Sequence, residues 1–170
     1  MTLATCEYQT PFGRIGIVAM KATQAISLII FDNEKPGNLN IDAFLASSGT
    51  SLTNSPILTE TVKQLDEYFI GRRKYFNLPQ SPYGSLFQRT VWNELNKIPY
   101  GQTISYADLA CRVGKPQAFR AVGTANKKNR LPIIVPCHRV IGSDGRSHGY
   151  AGGLEVQEYL LRLEQSNGGN

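Results

Sequence analysis

The sequence predicts an α+β chain: a small N-terminal antiparallel sheet domain with a helix, then a mostly helical C-terminal domain that contains a helix-turn-helix and a cysteine placed for chemistry. Three observations predict it. Three short strand-like apolar segments fall within the first 31 residues, whereas apolar stripes at helical spacing dominate from Ser55 onward. Two serine capping boxes open helices in the second half. The charge is also uneven. Residues 1–79 hold seven basic and seven acidic side chains, while residues 80–170 hold eleven and six and carry the whole net charge of +5.

Thr5–Thr10, Ile15–Met20 and Ala25–Phe31 read as three strands, the first two joined by the turn Pro11-Phe12-Gly13, which predicts an antiparallel meander. Asn33–Asn40 reads as a loop, Ile41–Ala46 as a short helix and Ser47–Asn54 as a polar linker. Ser55-Pro56 opens a helix with proline at its first position, where the missing N–H costs nothing. Leu58, Val62, Leu65 and Phe69 stripe that helix, and Gly71 ends it. Asn77–Gly84, with Pro79 and Pro82, reads as an interdomain linker, dividing the chain into domains over 1–80 and 81–170.

Ser85 with Gln88 caps the next helix, which carries Phe87, Val91, Leu95 and Ile98 on one face. Pro99-Tyr100-Gly101 interrupts the chain. Ser105 with Asp108 caps a short helix through about Val113; Gly114-Lys115-Pro116 turns tightly; a further helix follows over Gln117–Asn126. Two short helices joined by a glycine-containing turn form a helix-turn-helix pattern, which DNA-binding proteins and ordinary helical cores share. The second helix is nearly bald, with Ala118, Ala121, Gly123 and Ala125, and one long cation, Arg120, in its middle. Such a helix can pack tightly in a core or bed into a groove. The surrounding charge favours the groove: Arg112, Lys115, Arg120, Lys127, Lys128, Arg130 and Arg139 lie within 112–139 with no acid among them, a field that attracts polyanions.

Composition excludes several function classes. No apolar stretch approaches the ~20 residues of a membrane span, and the N-terminus lacks a signal-peptide pattern, so a cytoplasmic protein is expected, nuclear in a eukaryote. Cys6, Cys111 and Cys137 make an odd set without framework spacing, which argues against structural disulfides. With only His138 and His148 and no CxxC, neither metal nor cofactor is expected.

The chemistry concentrates at Pro136-Cys137-His138-Arg139-Val140. The apolar run Leu131–Val135 reads as a buried strand, and Pro136 forces a turn where the thiol appears. A cysteine beside a base at a strand end is one way a reactive thiolate is built; a lone cysteine is otherwise a small buried hydrophobe. In the C-terminal helix, Val156, Tyr159, Leu160 and Leu163 form the core stripe, and Glu164 falls on it. A carboxylate facing a core needs a partner, and His138 is the useful candidate; a frayed, solvated helix end is the alternative. On these residues alone, a sequence-reading transcription factor with a structural or redox-sensing Cys137, and a cysteine hydrolase using Cys137 and His138, both stay open. Adjacent strand residues point to opposite faces, which is awkward for a direct dyad, and Ala118 and Ala121 are poor base readers.

Taken together, these motifs resemble the O6-alkylguanine-DNA alkyltransferases, also called methylated-DNA–protein-cysteine methyltransferases. Pro-Cys-His-Arg-Val is that family's active-site signature, and the resemblance runs without a gap from about Phe87 to Glu164. It includes Thr103-Ile104-Ser105-Tyr106, Arg120-Ala121-Val122-Gly123, Asn129 and Gly149-Tyr150-Ala151-Gly152-Gly153; residues 1–80 match loosely. The resemblance implies a ribonuclease H-like N-terminal domain, a monomer, and double-stranded DNA containing O6-alkylguanine as partner. It makes Cys137 the alkyl acceptor, with His138 bridging through a water between the thiol and Glu164, and Asn129 the hinge between the helix-turn-helix and the active-site strand. Tyr106 would place its hydroxyl by N3 of the target guanine, and Arg120 would fill the gap left by the flipped base. Tyr150 and Ala151 would cover that base, while Val140, Ala118, Ala121 and Lys127 complete the substrate and DNA surfaces. Ala151 replaces a serine of some members, leaving only its backbone N–H as a donor, and His148 occupies a loop position that is often small. Neither the extra cysteine-rich N-terminal domain of the adaptive-response regulators nor the zinc site of some eukaryotic members is expected. The implied reaction is a single displacement per molecule, moving an alkyl group from O6 of guanine, or O4 of thymine, to Cys137 after base flipping.

Overall fold

A computed structural model describes residues 3–32, 41–42 and 55–168. The expected loop Asn33–Asn40 and linker Ser47–Asn54 lie outside the described residues; of the expected helix Ile41–Ala46 only Ile41 and Asp42 are described, and both are helical. The chain divides into two compact units, Met1–Tyr83 and Gly84–Asn170.

The first unit is built on β1 (Leu3–Thr10), β2 (Gly13–Met20) and β3 (Ala25–Phe31). They form an antiparallel meander in the order β1-β2-β3, in a register that pairs Thr10 with Gly13 and Ile15 with Phe31. The Thr10 hydroxyl closes the first hairpin by donating to the Gly13 carbonyl at 2.6 Å, and Gly13 adopts φ +124°, a conformation glycine takes without penalty. β2 is central and buried from Ile15 through Ala19. Val18, with Ile30 and Ile41, forms one apolar cluster beside it. α1 (Pro56–Phe69) packs against all three strands. Its buried face is Ile57, Leu58, Thr61, Gln64, Leu65 and Tyr68, so the stripe is rotated from the expected Val62 and Phe69. The polar members are satisfied locally: Thr61 donates to the Ile57 carbonyl, and Gln64 exchanges hydrogen bonds with the Asn77 backbone.

The segment Asn77–Gly84 is not a free linker along its whole length. Ile26 of β3 donates to the Pro79 carbonyl and accepts from Ser81 N–H, both at 2.8 Å, and Leu78 is buried. Neither bond uses a proline N–H, which is why two prolines are tolerated at this edge.

The second unit begins with α2 (Leu86–Leu95), capped by the complete Ser85–Gln88 box. Val91, Trp92 and Leu95 are its buried face, and the Trp92 indole donates to the Ala125 carbonyl at 2.9 Å. β4 (Ile104–Ser105) leads into α3 (Tyr106–Arg112), capped by the Ser105–Asp108 box. Gly114 at φ +72° and a 3-10 turn over Pro116–Ala118 reverse the chain into α4 (Phe119–Lys127), giving the helix-turn-helix. β5 (Val140–Ile141) pairs in parallel with β4, fixing the start of α3 beside the chain that leaves the cysteine. α5 (Leu154–Asn167) closes the unit with Val156, Gln157, Leu160 and Glu164 inward.

One expected element is absent. Leu131–Val135 is buried throughout but is a tight turn, with Pro132 bridged to Val135 and Val135 N–H bonded to the Leu131 carbonyl at 2.8 Å. Ile133 sits at φ +75°, a conformation that costs a β-branched residue about 1–3 kcal/mol. The turn is held by Asn129, which accepts from Leu131 N–H at 3.0 Å and donates to the Val135 carbonyl at 2.9 Å. Asn129 therefore joins the helix-turn-helix to a side-chain-closed turn, not to a strand.

Candidate active site

The turn delivers Cys137, His138 and Arg139 as one 3-10 turn, all buried. In that geometry neighbouring side chains leave about a third of a turn apart, so the thiol, the imidazole and the guanidinium reach three different partners.

Cys137 receives the Asn129 amide, Nδ2 to Sγ 3.0 Å. Burial pushes the thiol up to about 12, against the Asn129 hydrogen bond and the backbone N–H groups of Cys137 and His138. The resting thiol is protonated at neutral pH, and the same donors are in place to hold a thiolate once its proton leaves.

His138 is fully buried, with Nε2 2.7 Å from Glu164 Oε1. Burial lowers its affinity for a proton below the ordinary 6.5, outweighing the Glu164 hydrogen bond and charge, with the Arg139 charge acting in the same direction as burial. The neutral ring then donates through Nε2–H to Glu164, and its buried Nδ1 has no hydrogen-bond partner among the described residues. That leaves one bare lone pair, the arrangement of a base.

Glu164 is fully buried on the inner face of α5. Burial alone would raise its carboxyl, but the hydrogen bonds and charges of His138 and Arg139 hold it below the usual carboxylate range. With His138 neutral, the permanent charge opposite it is Arg139, through Nε to Oε2 at 2.8 Å and Nη2 to Oε1 at 3.0 Å. Gly101 N–H adds a bond to Oε2 at 3.0 Å, and Arg139 Nη1 caps the Ile98 carbonyl at 2.5 Å. Sequence reasoning assigned His138 alone to Glu164 and counted Arg139 with the surface cations. Arg139 is instead withdrawn into the core, while Arg112, Lys115, Arg120, Lys127, Lys128 and Arg130 are exposed. The signal was available, since a carboxylate on a core stripe calls for a cation and the motif supplies one.

Tyr106 opens α3 with its hydroxyl buried. Burial raises the phenol, reinforced by the Cys137 charge and opposed by the Asn126 amide, so phenol, amide and thiol share one pocket. The Tyr150 ring stands edge-on to His138 at 6.3 Å between centroids. Its phenol is raised by burial and by the Cys137 charge, against the Ile133 N–H. Val140 is buried, and Ala151 is exposed on the loop that follows Tyr150. Lys127 reaches that loop: a Cβ on Gly149 would lie 3.2 Å from its Cε. His148 Nε2 is 3.0 Å from Asp144 Oδ1, folded over Gly142.

Arg120, Ala121 and Lys127 lie on the exposed face of α4 and Ala118 is half-buried at its start, whereas Val122, Ala125 and Asn126 face inward. Sequence reasoning missed two inward amides. Asn126 Nδ2 lies 3.4 Å from the Cys137 carbonyl, and Gln157 Nε2 bonds the carbonyls of His138 and Val140 at 3.1 and 3.3 Å. Gln157 follows Val156 of the core stripe, a position that pattern alone assigns to solvent.

No helix among the described residues is long and apolar enough to cross a membrane. Residues 86–166 match the family described as 6-O-methylguanine DNA methyltransferase, DNA binding domain, and residues 6–82 its ribonuclease-like domain. The chain is 44% identical over 158 residues to a constitutive methylated-DNA–protein-cysteine methyltransferase of Bacillus subtilis, covering 92% of each. It is 49% identical over 116 residues to a Methanosarcina barkeri protein of the same name, covering 68% of this chain and 73% of that one. The crystal structure of Mycobacterium tuberculosis O6-methylguanine methyltransferase superposes with a TM-score of 0.83 at 32% identity, over 97% of this chain and 94% of that one. A structure of the M. tuberculosis protein in complex with DNA superposes at 0.78 and 34% identity, over 97% and 93%. A thiol, a neutral imidazole and a buried carboxylate in one core, behind a basic helix-turn-helix, accompany identity across nine-tenths of a relative's length, and the chain belongs to the methylated-DNA–protein-cysteine methyltransferase family.

Proposed function

We propose that this chain repairs double-stranded DNA by direct reversal, moving a methyl or other alkyl group from O6 of guanine to its own Cys137, once per molecule. The observation that carries this reading is the buried Cys137 thiol under the Asn129 amide, beside a His138 whose other nitrogen is committed to Glu164. The thiol proton passes to His138, by way of a bridging water, and the imidazolium is stabilised by Glu164. The sulfur then forms a bond to the alkyl carbon as the carbon–O6 bond breaks. The electron pair leaves on guanine, where Tyr106 donates to N3, and the proton returns to the base. Burial drives the step forward: a dry pocket disfavours a thiolate, whereas the thioether product is neutral.

O6 lies inside the stack, so the nucleotide must be flipped before a buried thiol reaches it. The exposed face of α4 combines small side chains with the cations Arg120 and Lys127, suited to bed against a groove. Arg120 enters the vacated position, Ala118, Ala121 and Lys127 line the DNA surface, and Val140, Tyr150 and Ala151 enclose the base. The N-terminal domain, expected over residues 1–80, is a ribonuclease H-like accessory domain, and the protein acts as a cytoplasmic monomer, nuclear in a eukaryote. O4-alkylthymine is a second candidate substrate.

Intact-protein mass spectrometry after incubation with a methylguanine-bearing duplex tests the reading. A gain of ~14 Da, located on Cys137 and saturating at one per chain, is expected of a stoichiometric nucleophile. Label on Cys6 or Cys111, or continued turnover, overturns it. Cys137→Ser abolishes transfer and retains DNA binding, because the cationic surface is untouched.

A further inference from the structure

We propose that Asn126 is a positioning residue for this reaction, setting where the Tyr106 hydroxyl points by bracketing that phenol against the Cys137 backbone. The inference rests on the repair reading above and adds a residue to it.

Gly123 and Asn126 are three apart on α4 and share its inner face. A Cβ on Gly123 would lie 3.5 and 3.6 Å from Cδ1 and Cε1 of Tyr106. The tyrosine ring therefore rests along this face, and the edge it presents leads to its hydroxyl. One turn further on, Asn126 is 3% exposed, with Nδ2 3.4 Å from the Cys137 carbonyl. That distance is long for a hydrogen bond between an amide and a carbonyl. Beside it, the Tyr106 hydroxyl and Asn126 Oδ1 are both fully buried, and neither closes a hydrogen bond of ordinary geometry among the described residues. The phenol nevertheless feels the Asn126 amide, which opposes the effect of burial on it.

A buried amide with an unused acceptor is costly, and an apolar side chain of the same size would fill the space without that cost. Here the amide lies next to both the Tyr106 phenol and the Cys137 carbonyl, so it stands between the two. A phenol that must donate its proton to a leaving base donates better when its own oxygen accepts a hydrogen bond. Asn126 has two N–H groups, enough to hold the Cys137 carbonyl with one and the phenol oxygen with the other. It thereby links the donor on the leaving-group side to the backbone of the nucleophile.

The test is a double-mutant cycle on single-turnover alkylation of Cys137 by a methylguanine duplex, using the parent chain, Asn126→Leu, Tyr106→Phe and the double variant, with denaturant midpoints for all four. Each single change is expected to slow transfer about 10- to 100-fold, the scale of one lost donor at a developing charge, and the double variant to be no slower than Tyr106→Phe. Losses that multiply show that Asn126 does not act through the hydroxyl and overturn the inference. If Asn126→Leu fails to fold, Asn126→Ala completes the same cycle. A parent chain that leaves Cys137 unlabelled overturns the repair reading and this role with it. A labelled parent with multiplying losses overturns only the role of Asn126.

Discussion

Arg139 and Glu164, twenty-five residues apart, meet in the core of the C-terminal unit through a two-point ion pair of 2.8 and 3.0 Å. The pair has a chemical consequence for His138. With the carboxylate neutralised by a permanent cation, the imidazole contributes a neutral N–H to Glu164 and stays a base. Without Arg139, the nearest source of positive charge would be the ring itself.

Arg139→Leu should therefore raise the pKa of His138, since it removes a charge that lowers it and leaves Glu164 facing the ring. The low-pH limb of the alkylation rate should move to higher pH. Glu164→Gln should destabilise the fold by about 3–5 kcal/mol, because it strands a buried guanidinium. Urea midpoints and pH–rate profiles on the two variants check both outcomes; an unmoved limb in Arg139→Leu would remove that residue from control of the base.

Asn129→Ala should weaken both the turn and the thiol. Three groups lose a partner together: Leu131 N–H, the Val135 carbonyl and Cys137 Sγ. The Val135 carbonyl keeps Cys137 N–H at 2.8 Å, but Leu131 N–H is stranded, and a buried group left unsatisfied costs about 1–3 kcal/mol, so the melting temperature should fall. The Cys137 pKa, already pushed up to about 12 by burial, should rise further as a hydrogen bond that lowers it is lost. Thiol titration with an alkylating reagent, at a temperature where the variant is folded, checks this.

Acid should destabilise the protein in two stages. His138 has a depressed folded pKa, so its contribution is complete above its unfolded value of 6.5 and is lost as pH falls below it. Glu164 is depressed from 4.5, so its contribution is complete above 4.5 and disappears as pH falls further. His138→Asn should abolish the first stage and keep the second. Thermal unfolding between pH 7 and pH 3, on parent and variant, checks the assignment.

What could be read from the sequence follows from the range of the forces involved. Local signals were legible: Ser85 and Ser105 close complete capping boxes, and Pro56 opens α1. These depend on contacts within four residues. Leu131–Val135 was misread because an apolar run reports burial and not backbone path. The path is dictated by Asn129, a side chain that closes the turn from outside it. Arg139 was misplaced for a related reason. Charge along the chain does not say which residues face water, and a 3-10 turn sends neighbours in different directions. Asn126 and Gln157 escaped notice because each is a polar residue whose partners are backbone carbonyls distant in sequence. No periodicity encodes such partners.

Arg120 is exposed on α4, its guanidinium 5.9 Å from the Phe119 ring and with no acidic partner among the described residues. If it occupies the space left by a flipped nucleotide, its loss should matter most where flipping is costly. Arg120→Ala should slow repair of duplex DNA strongly, because the few kcal/mol of unstacking go uncompensated. It should hardly change the reaction with free alkylguanine base, which needs no flipping. A phosphate contact behaves differently: its removal weakens binding to all duplexes about equally and reduces the salt dependence by about one ion. A brace within the helix behaves differently again, lowering stability and slowing both substrates alike. Second-order rates on duplex and free base, for parent and variant at two salt concentrations, separate the three. Equal slowing on both substrates would leave Arg120 as scaffold, whereas selective slowing on the duplex with an unchanged salt slope assigns it to the flipped state.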